Sequence, residues 1–282
     1  MTSPPADALA LPVRGGVATS SRWQQYWHLL WLSAVADYRR RYAGSVLGYL
    51  WTVLRPLMLF AVLYTVVTHV VFRFEGQVAH YGDLLLLNIV LWQFFAEASN
   101  GAMRSLTTRG GLVRKMPIPR TVMPLSVVLG AAFVLASNLL VAFAWIVVDG
   151  IEPMWTWLLF PLILVGLIAL TSGFALLLSA IYPRFRDIGQ IWPTVTRLLF
   201  YTTVLFPIEV LPRVLQDLQS FNPVAPLVVQ ARVWIIDPEA PGWFEVGKST
   251  FAELMPFLLF AAICASGWLI FSRRARRVAE EI

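Results

Sequence analysis

The sequence predicts an all-α, polytopic membrane protein of six transmembrane helices, and three observations carry that expectation. Hydrophobic residues fill 58% of the 282 positions and charged residues only 13%, too apolar a balance for a soluble domain of this length. The apolar residues are gathered into runs of roughly 18 to 28, long enough for a helix to cross a hydrocarbon core of about 30 Å. The cations cluster at the edges between those runs, as the positive-inside rule leads one to expect. Topology therefore accounts for the net charge of +6, and no nucleic-acid partner is expected. Arginine supplies all but two (Lys115 and Lys248) of the 22 basic residues.

Orientation rests on the stretch SNGAMRSLTTRGGLVRKMPIPR, Ser99 to Arg120. It carries Arg104, Arg109, Arg114, Lys115 and Arg120 with no acid, so the loop 104–120 is expected on the cytoplasmic side. Residues 1–19, rich in Ala, Pro, Ser and Gly, read as a disordered cytoplasmic tail. In residues 20–41, Trp23, Tyr26, Trp27, Leu30, Trp31 and Ala34 recur at helical spacing ahead of Arg39, Arg40 and Arg41. That pattern is an amphipathic helix in the cytoplasmic interface; a helix packed on protein is the rival reading. The transmembrane domain, 42–272, follows.

The first span, about 47–72, contains Arg55-Pro56. The second, about 83–103, descends to the cationic loop, and the third, about 122–148, climbs to Asp149 and Glu152. The fourth, about 155–182, returns to Arg184 and Arg186, and 188–206 is just long enough for a fifth. The segment 207–250 carries Glu209, Asp217, Asp237, Glu239 and Glu245 against Arg213, Arg232 and Lys248, a balance that suits the outer side. Within it Phe221 to Ile236 is apolar, too short to span and interrupted by Pro223 and Pro226, which suggests a re-entrant or interfacial piece. The sixth span, about 254–271, ends at Arg273, Arg274, Arg276 and Arg277 in a cytoplasmic tail, 273–282. Both termini are then cytoplasmic.

Enzyme chemistry finds little support. His28, His69 and His80 lie in different segments, and no HExxH or helically spaced carboxylate pair stands at a membrane edge, so neither a catalytic centre nor a metal site is expected. Cys264, the single cysteine, reads as a small buried hydrophobe. Gly242 to Ser249, GWFEVGKS, fits the phosphate-loop expression G-x-x-x-x-G-K-[ST]. It lacks the preceding strand and falls on the outer side, so it is taken as coincidence.

Ionisable and polar residues inside the spans carry more information. Arg55 and Glu97 lie at comparable depth above the cytoplasmic ends of the first and second spans, and are expected to pair across the two helices; snorkelling of each to the interface is the alternative. Thr194, Arg197 and Tyr201 share one face of the fifth span. Asn88, Trp92 and Phe95, with Ser99, share one of the second, and Trp51 stands near the start of the first. Aromatic rings beside hydrogen-bonding groups suit sugars, so these residues and Arg55 are candidate path residues, against the plainer reading of packing or an interface belt.

Five strings in order resemble one known family. They are YRRRYAGSVLGYLWTVLRPL (Tyr38 to Leu57), WQFFAEASNGAMRSLTTRGGLVRKMPIPRTVMPLS (Trp92 to Ser126), YPRFRDIGQIWPTV (Tyr182 to Val195), LFPIEVLP (Leu205 to Pro212) and FNPVAPLVVQAR (Phe221 to Arg232). They resemble the permease subunits of type-2 ABC exporters for polysaccharides such as O-antigen, teichoic acid, capsule or galactan. The resemblance implies a homodimer in the bacterial cytoplasmic membrane, with a channel at the dimer interface and two copies of a separate cytoplasmic ATPase. ATP and Mg would be held there, and this chain would hold no cofactor. The substrate implied is a lipid-linked glycan moving through a bilayer of membrane lipids.

The resemblance also makes the loop a coupling helix, with Leu106, Arg109, Leu112, Val113, Arg114 and Lys115 as the contacts to the ATPase. It makes Ile208 to Leu218 and Val224 to Ile236 outer gate helices. Arg109 and Gly110-Gly111 depart from the family's pattern, so the coupling helix either starts near Gly111 or is kinked. Two other readings stay open at this point: a drug or small-lipid exporter of the same ABC type, and a membrane enzyme acting on polyprenyl-linked sugars.

Overall fold

The computed structural model describes residues 22–42, 48–71, 80–108, 119–245 and 250–274. Every regular element among them is helical. Helix α1 is Arg22–Tyr42, α2 Leu50–Thr65 with a π-helical extension Val66–Val71, α3 Tyr81–Met103, and α4 the single turn Ser105–Thr108. Helix α5 is Val122–Val148, and α6, Phe160–Ile181, follows a 3-10 turn Trp155–Leu159. Helix α7 is Ile188–Thr203, α8 Arg213–Gln219 after a 3-10 turn Ile208–Val210, α9 Ala225–Ile235 and α10 Thr250–Arg274.

Helix α3 is the axis of the bundle. It packs on α5 and α6 along its length and on α2, α7 and α9 over shorter stretches. Leu84 to Leu87, Ile89 to Trp92, Phe94 and Phe95 are all buried, in one continuous core with residues of α5, α6 and α9. Helix α10 is peripheral and packs chiefly on α6. It leaves Leu254, Phe257, Leu258, Trp268 and Leu269 exposed, as Leu140 and Trp145 are on α5 and Leu162 and Val165 on α6. Apolar side chains facing outward on helices of bilayer length belong against lipid.

Four helical stretches are long and apolar enough to cross a membrane: Leu50–His69, Val122–Val148, Trp155–Ile181 and Phe251–Arg273. They correspond to the expected first, third, fourth and sixth spans. The other two expected spans differ for physical reasons. Helix α3 is long enough at 23 residues, but Asp83, Asn88, Gln93, Glu97 and Asn100 lower its apolarity. Its protein neighbours shelter residues that lipid would reject. Helix α7 has 16 residues and ends at Thr203 rather than 206, a length of about 24 Å.

Helix α1 does not lie across the bundle as an isolated surface helix would. The Tyr26 hydroxyl donates to Thr121 Oγ1 at 3.1 Å, the Ala34 carbonyl approaches Gly130, and the rings of Trp31 and Tyr38 meet Phe133 edge-on. These contacts advance together along both chains, so α1 runs beside the first turns of α5 in the same direction. Leu30 and Ala34 are buried there, while Trp23, Trp27 and Trp31 stay exposed. One face thus packs on protein, and the other offers tryptophans of the kind that settle among lipid headgroups.

The stretch between α7 and α10 is built around Asn222. Its Nδ2 donates to Thr203 Oγ1 at 2.7 Å, its Oδ1 accepts from the Val224 amide at 3.0 Å, and Thr203 donates to Gln219 Oε1 at 3.1 Å. Those bonds bring α8 back to the end of α7 and start α9. Helix α9 buries Ala225, Val228, Ala231 and Ile235, and Trp157 Nε1 donates to the Ile235 carbonyl at 3.0 Å. The phosphate-loop resemblance finds no preceding strand among the described residues. The Gly242 amide donates to Glu245 Oε2 at 2.9 Å, and residues 246–249 lie outside the described residues.

Candidate functional site

Between α2, α3 and α5 runs a groove of about 660 Å³. Trp51, Thr52 and Arg55 come to it from α2, Gln93, Glu97 and Asn100 from α3, and Asn138 from α5. Arg55 Nη1 donates to Glu97 Oε1 at 3.0 Å. Arg55 sits five residues into α2 and Glu97 six before the end of α3, so each is about 8–9 Å from its helix terminus. The Arg55 side chain is nevertheless 73% exposed in the single chain, and the groove is therefore open along the α2 side. The Asn100 and Asn138 side-chain oxygens are buried and have no hydrogen-bond partner among the described residues. A cleft that sets an ion pair and side-chain amides beside apolar residues such as Val90, Phe94 and Leu135 is suited to hydroxyl-bearing ligands or water.

The structure separates the candidate path residues into two sets. Trp51 and Arg55 line the groove, and Thr194, Arg197 and Tyr201 form an exposed strip on α7. Trp92 and Phe95 do not face the groove, and Asn88 lines a separate small pocket with Thr203, Glu209 and Arg232. Trp92 and Phe95 are buried in the core, where Phe95 meets Phe174 and Trp192 edge-on. Asn88 Nδ2 donates to the Val204 carbonyl at 3.4 Å. The reason is the central position of α3: protein surrounds the face carrying Trp92 and Phe95, and the face bearing Gln93, Glu97 and Asn100 opens into the groove.

Of the coupling residues, Arg109, Leu112, Val113, Arg114 and Lys115 lie outside the described residues. Leu106 is described and is not a surface contact. It is buried with Met123, Leu176, Ala180 and Phe271, so it ties α4 to the ends of α5, α6 and α10. Arg104, beside it, is exposed and donates from Nη2 to the Gly189 carbonyl at 3.3 Å, linking the end of α3 to the start of α7.

Three groove residues escaped the sequence reading. Gln93 and Asn100 flank Glu97 at four and three residues, one helical face, and Asn138 interrupts an otherwise apolar helix; both signals were present. A second ion-pair cluster was also missed. Arg232 donates from Nη1 to Glu209 Oε1, and its Nη2 lies 3.7 Å from Asp237 Oδ2, so α9 is fastened to the 3-10 turn before α8. His80, Asp83 and Asp149 are the group among the described residues with metal-ligand geometry; they stand apart from the groove.

Residues 25–235 match the family described as ABC-2 type transporter. The chain is 31% identical to the O-antigen export system permease protein RfbA of Klebsiella pneumoniae over 70% of its own length and 75% of that protein. It is 27% identical to the RfbA of Myxococcus xanthus over 92% of its length and 96% of that protein. To the polysialic acid transport protein KpsM of Escherichia coli it is 21% identical over 76% and 81%. An all-helical bundle with four helices fit to cross a bilayer and a match over three quarters of its length define this chain: it is a multi-pass membrane protein of the ABC-2 type transporter family.

Proposed function

We propose that this chain is the channel-forming permease of an ATP-driven exporter for a lipid-linked polysaccharide. The observation that carries the reading is the open groove holding Arg55 and Glu97. A guanidinium so exposed at membrane depth is costly against lipid, and a second copy of the chain meeting α2 would enclose it. Two such grooves, with the strips Thr194–Arg197–Tyr201 on the α7 helices, would line a path wide enough for a glycan. Groove-lining polar side chains such as Gln93 would hydrogen-bond sugar hydroxyls, and Trp51 would stack on a ring face. The names of the relatives, O-antigen export and polysialic acid transport, support a polysaccharide cargo.

In this reading all six spans cross, α3 and α7 being screened from lipid by their neighbours and by the second copy. Both termini and the 104–120 loop are cytoplasmic, and α8 and α9 form the outer gate. No nucleotide site is assigned to this chain, so the driving force comes from two copies of a cytoplasmic ATPase that bind ATP and Mg. Their closure would push the loop residues Leu112, Val113 and Arg114. Leu106 and Arg104 would pass the displacement to α5, α6 and α7, shifting the population toward an open path.

The test is co-expression with the ATPase encoded beside this gene, followed by affinity purification and measurement of glycan at the cell surface. Stable association lost in Leu112→Glu and Arg114→Glu, with export lost in the same variants, is the expected result. Association with no ATPase refutes the reading. Export of a small lipid without dependence on a glycan head would move the cargo to the drug and small-lipid branch.

A further inference from the structure

The end of the bundle opposite the 104–120 loop brings together three side chains from two helices. His80 precedes α3, Asp83 lies in its first turn, and Asp149 follows α5. One ligand atom from each lies within 4.8 Å of the others. His80 Nδ1 is 3.5 Å from Asp83 Oδ2 and 3.7 Å from Asp149 Oδ2. Asp83 is 1% exposed, and neither of its carboxylate oxygens has a hydrogen-bond partner among the described residues.

A carboxylate this buried is costly unless positive charge or donors compensate it or it takes up a proton, and a bound cation would keep it ionised. The imidazole is too distant to supply a well-formed hydrogen bond, since N–H···O contacts cluster near 2.9–3.0 Å. The two distances from His80 instead come close to those of donors around a common centre: a tetrahedral ion with bonds of about 2.1 Å sets its ligands about 3.4 Å apart. We propose that His80, Asp83 and Asp149 bind a divalent cation of the zinc class, which ties the start of α3 to the end of α5. One imidazole nitrogen with two carboxylates favours zinc over magnesium or calcium, which prefer all-oxygen sites. His80, with φ 53°, binds through Nδ1 and keeps its proton on Nε2. The half-exposed Asp149 leaves a side open for entry and for a water as fourth ligand. Nothing in this site depends on the transport reading.

The test uses the full chain, purified in detergent without a polyhistidine tag, stripped with EDTA and dialysed. ZnCl2, MnCl2 and MgCl2 are titrated in separately, with bound metal measured by mass spectrometry and stability by thermal unfolding. The expected result is one zinc per chain, a rise in Tm that EDTA reverses, and a weak response to magnesium. Asp149→Asn removes a half-exposed ligand with little risk to folding, and His80→Asn keeps a residue type tolerant of positive φ. Each should weaken zinc binding by about tenfold or more. Binding that is unsaturable, undiminished in both variants or equal for magnesium overturns the proposal. So does a Tm that zinc leaves unchanged.

Discussion

Helix α10 is held to the bundle across one close crossing, and a single methyl group there should measure its worth. A Cβ built on Gly267 would stand 2.4 Å from the Gly173 carbonyl oxygen, and one on Gly173 would stand 3.1 Å from the Cys264 Cα. Both obstacles are backbone, so no rotamer change relieves them. A carbon normally approaches a carbonyl oxygen to about 3.3–3.6 Å, so Gly267→Ala must drive α10 and α6 apart by about 1 Å. Gaps of that size forfeit a quarter to a half of each dispersion contact. Small residues at such crossings are what allow membrane helices to associate. Overpacking costs about 1–3 kcal/mol, and a backbone clash falls at the upper end; the better helix propensity of alanine returns about 1 kcal/mol. The net loss of about 2 kcal/mol corresponds to a fall in Tm of about 4–8 °C by the scaling for domains of 150–250 residues. The control is Gly166→Ala on α6, whose Cβ would meet only the Leu227 Cδ2 methyl at 3.3 Å, an end that can swing away. Thermal unfolding of both variants in the same detergent decides the matter. A Gly267→Ala protein that melts with the wild type, or a Gly166→Ala protein that falls equally far, refutes the close-crossing argument.

Three further outcomes are expected. Arg55→Ala and Glu97→Ala should each impair export, and the double variant should fall short of their sum by a coupling of about 0.5–3 kcal/mol; strict additivity would dissolve the pair. Asn222→Ala removes both the bond to Thr203 and the acceptor for the Val224 amide. It should lower stability by about 1–2 kcal/mol, with faster hydrogen exchange in α8 and α9 and little change in α5. Leu106→Ala opens space among Met123, Leu176 and Phe271 and should cost about 2–5 kcal/mol, whereas Leu112→Ala should weaken the association with the ATPase while leaving the melting temperature unchanged.

Much of the architecture could be read from the chain because lipid imposes a simple demand. Long runs that must satisfy their own backbone bonds in hydrocarbon become helices whatever their neighbours, so α2, α5, α6 and α10 stand out by length and apolarity alone. The contact between Arg55 and Glu97 also follows from little more than the helical rise, which sets both at one depth on adjacent helices. What composition could not supply is lateral position. Trp92 and Phe95 have the residue types of a sugar path, and nothing local distinguishes that role from packing; only the placement of α3 among α5, α6 and α7 makes them core. Leu106 failed similarly, since an apolar residue in a cationic loop can face a partner or fold back onto its own bundle.

The residues that periodicity missed share a cause. His80, Asp83 and Asp149 are separated by a hairpin of two long helices, so the spacing that betrays a metal motif within one element is absent. Arg232 and Glu209 likewise come from different elements and meet only in the fold. In a soluble protein such scattered polar residues would pass for surface. In helices of this apolarity each carries a desolvation cost that some contact must offset, and the contacts found are between helices. Polar residues within spans are therefore better read in pairs matched by depth than as motifs along the chain. Applied to α3, that rule gathers Gln93, Glu97 and Asn100 toward α2 and α5 in the groove. It leaves Asp83 at the far end, where His80 and Asp149 are the ionisable groups it meets among the described residues and where a buried carboxylate most needs a cation.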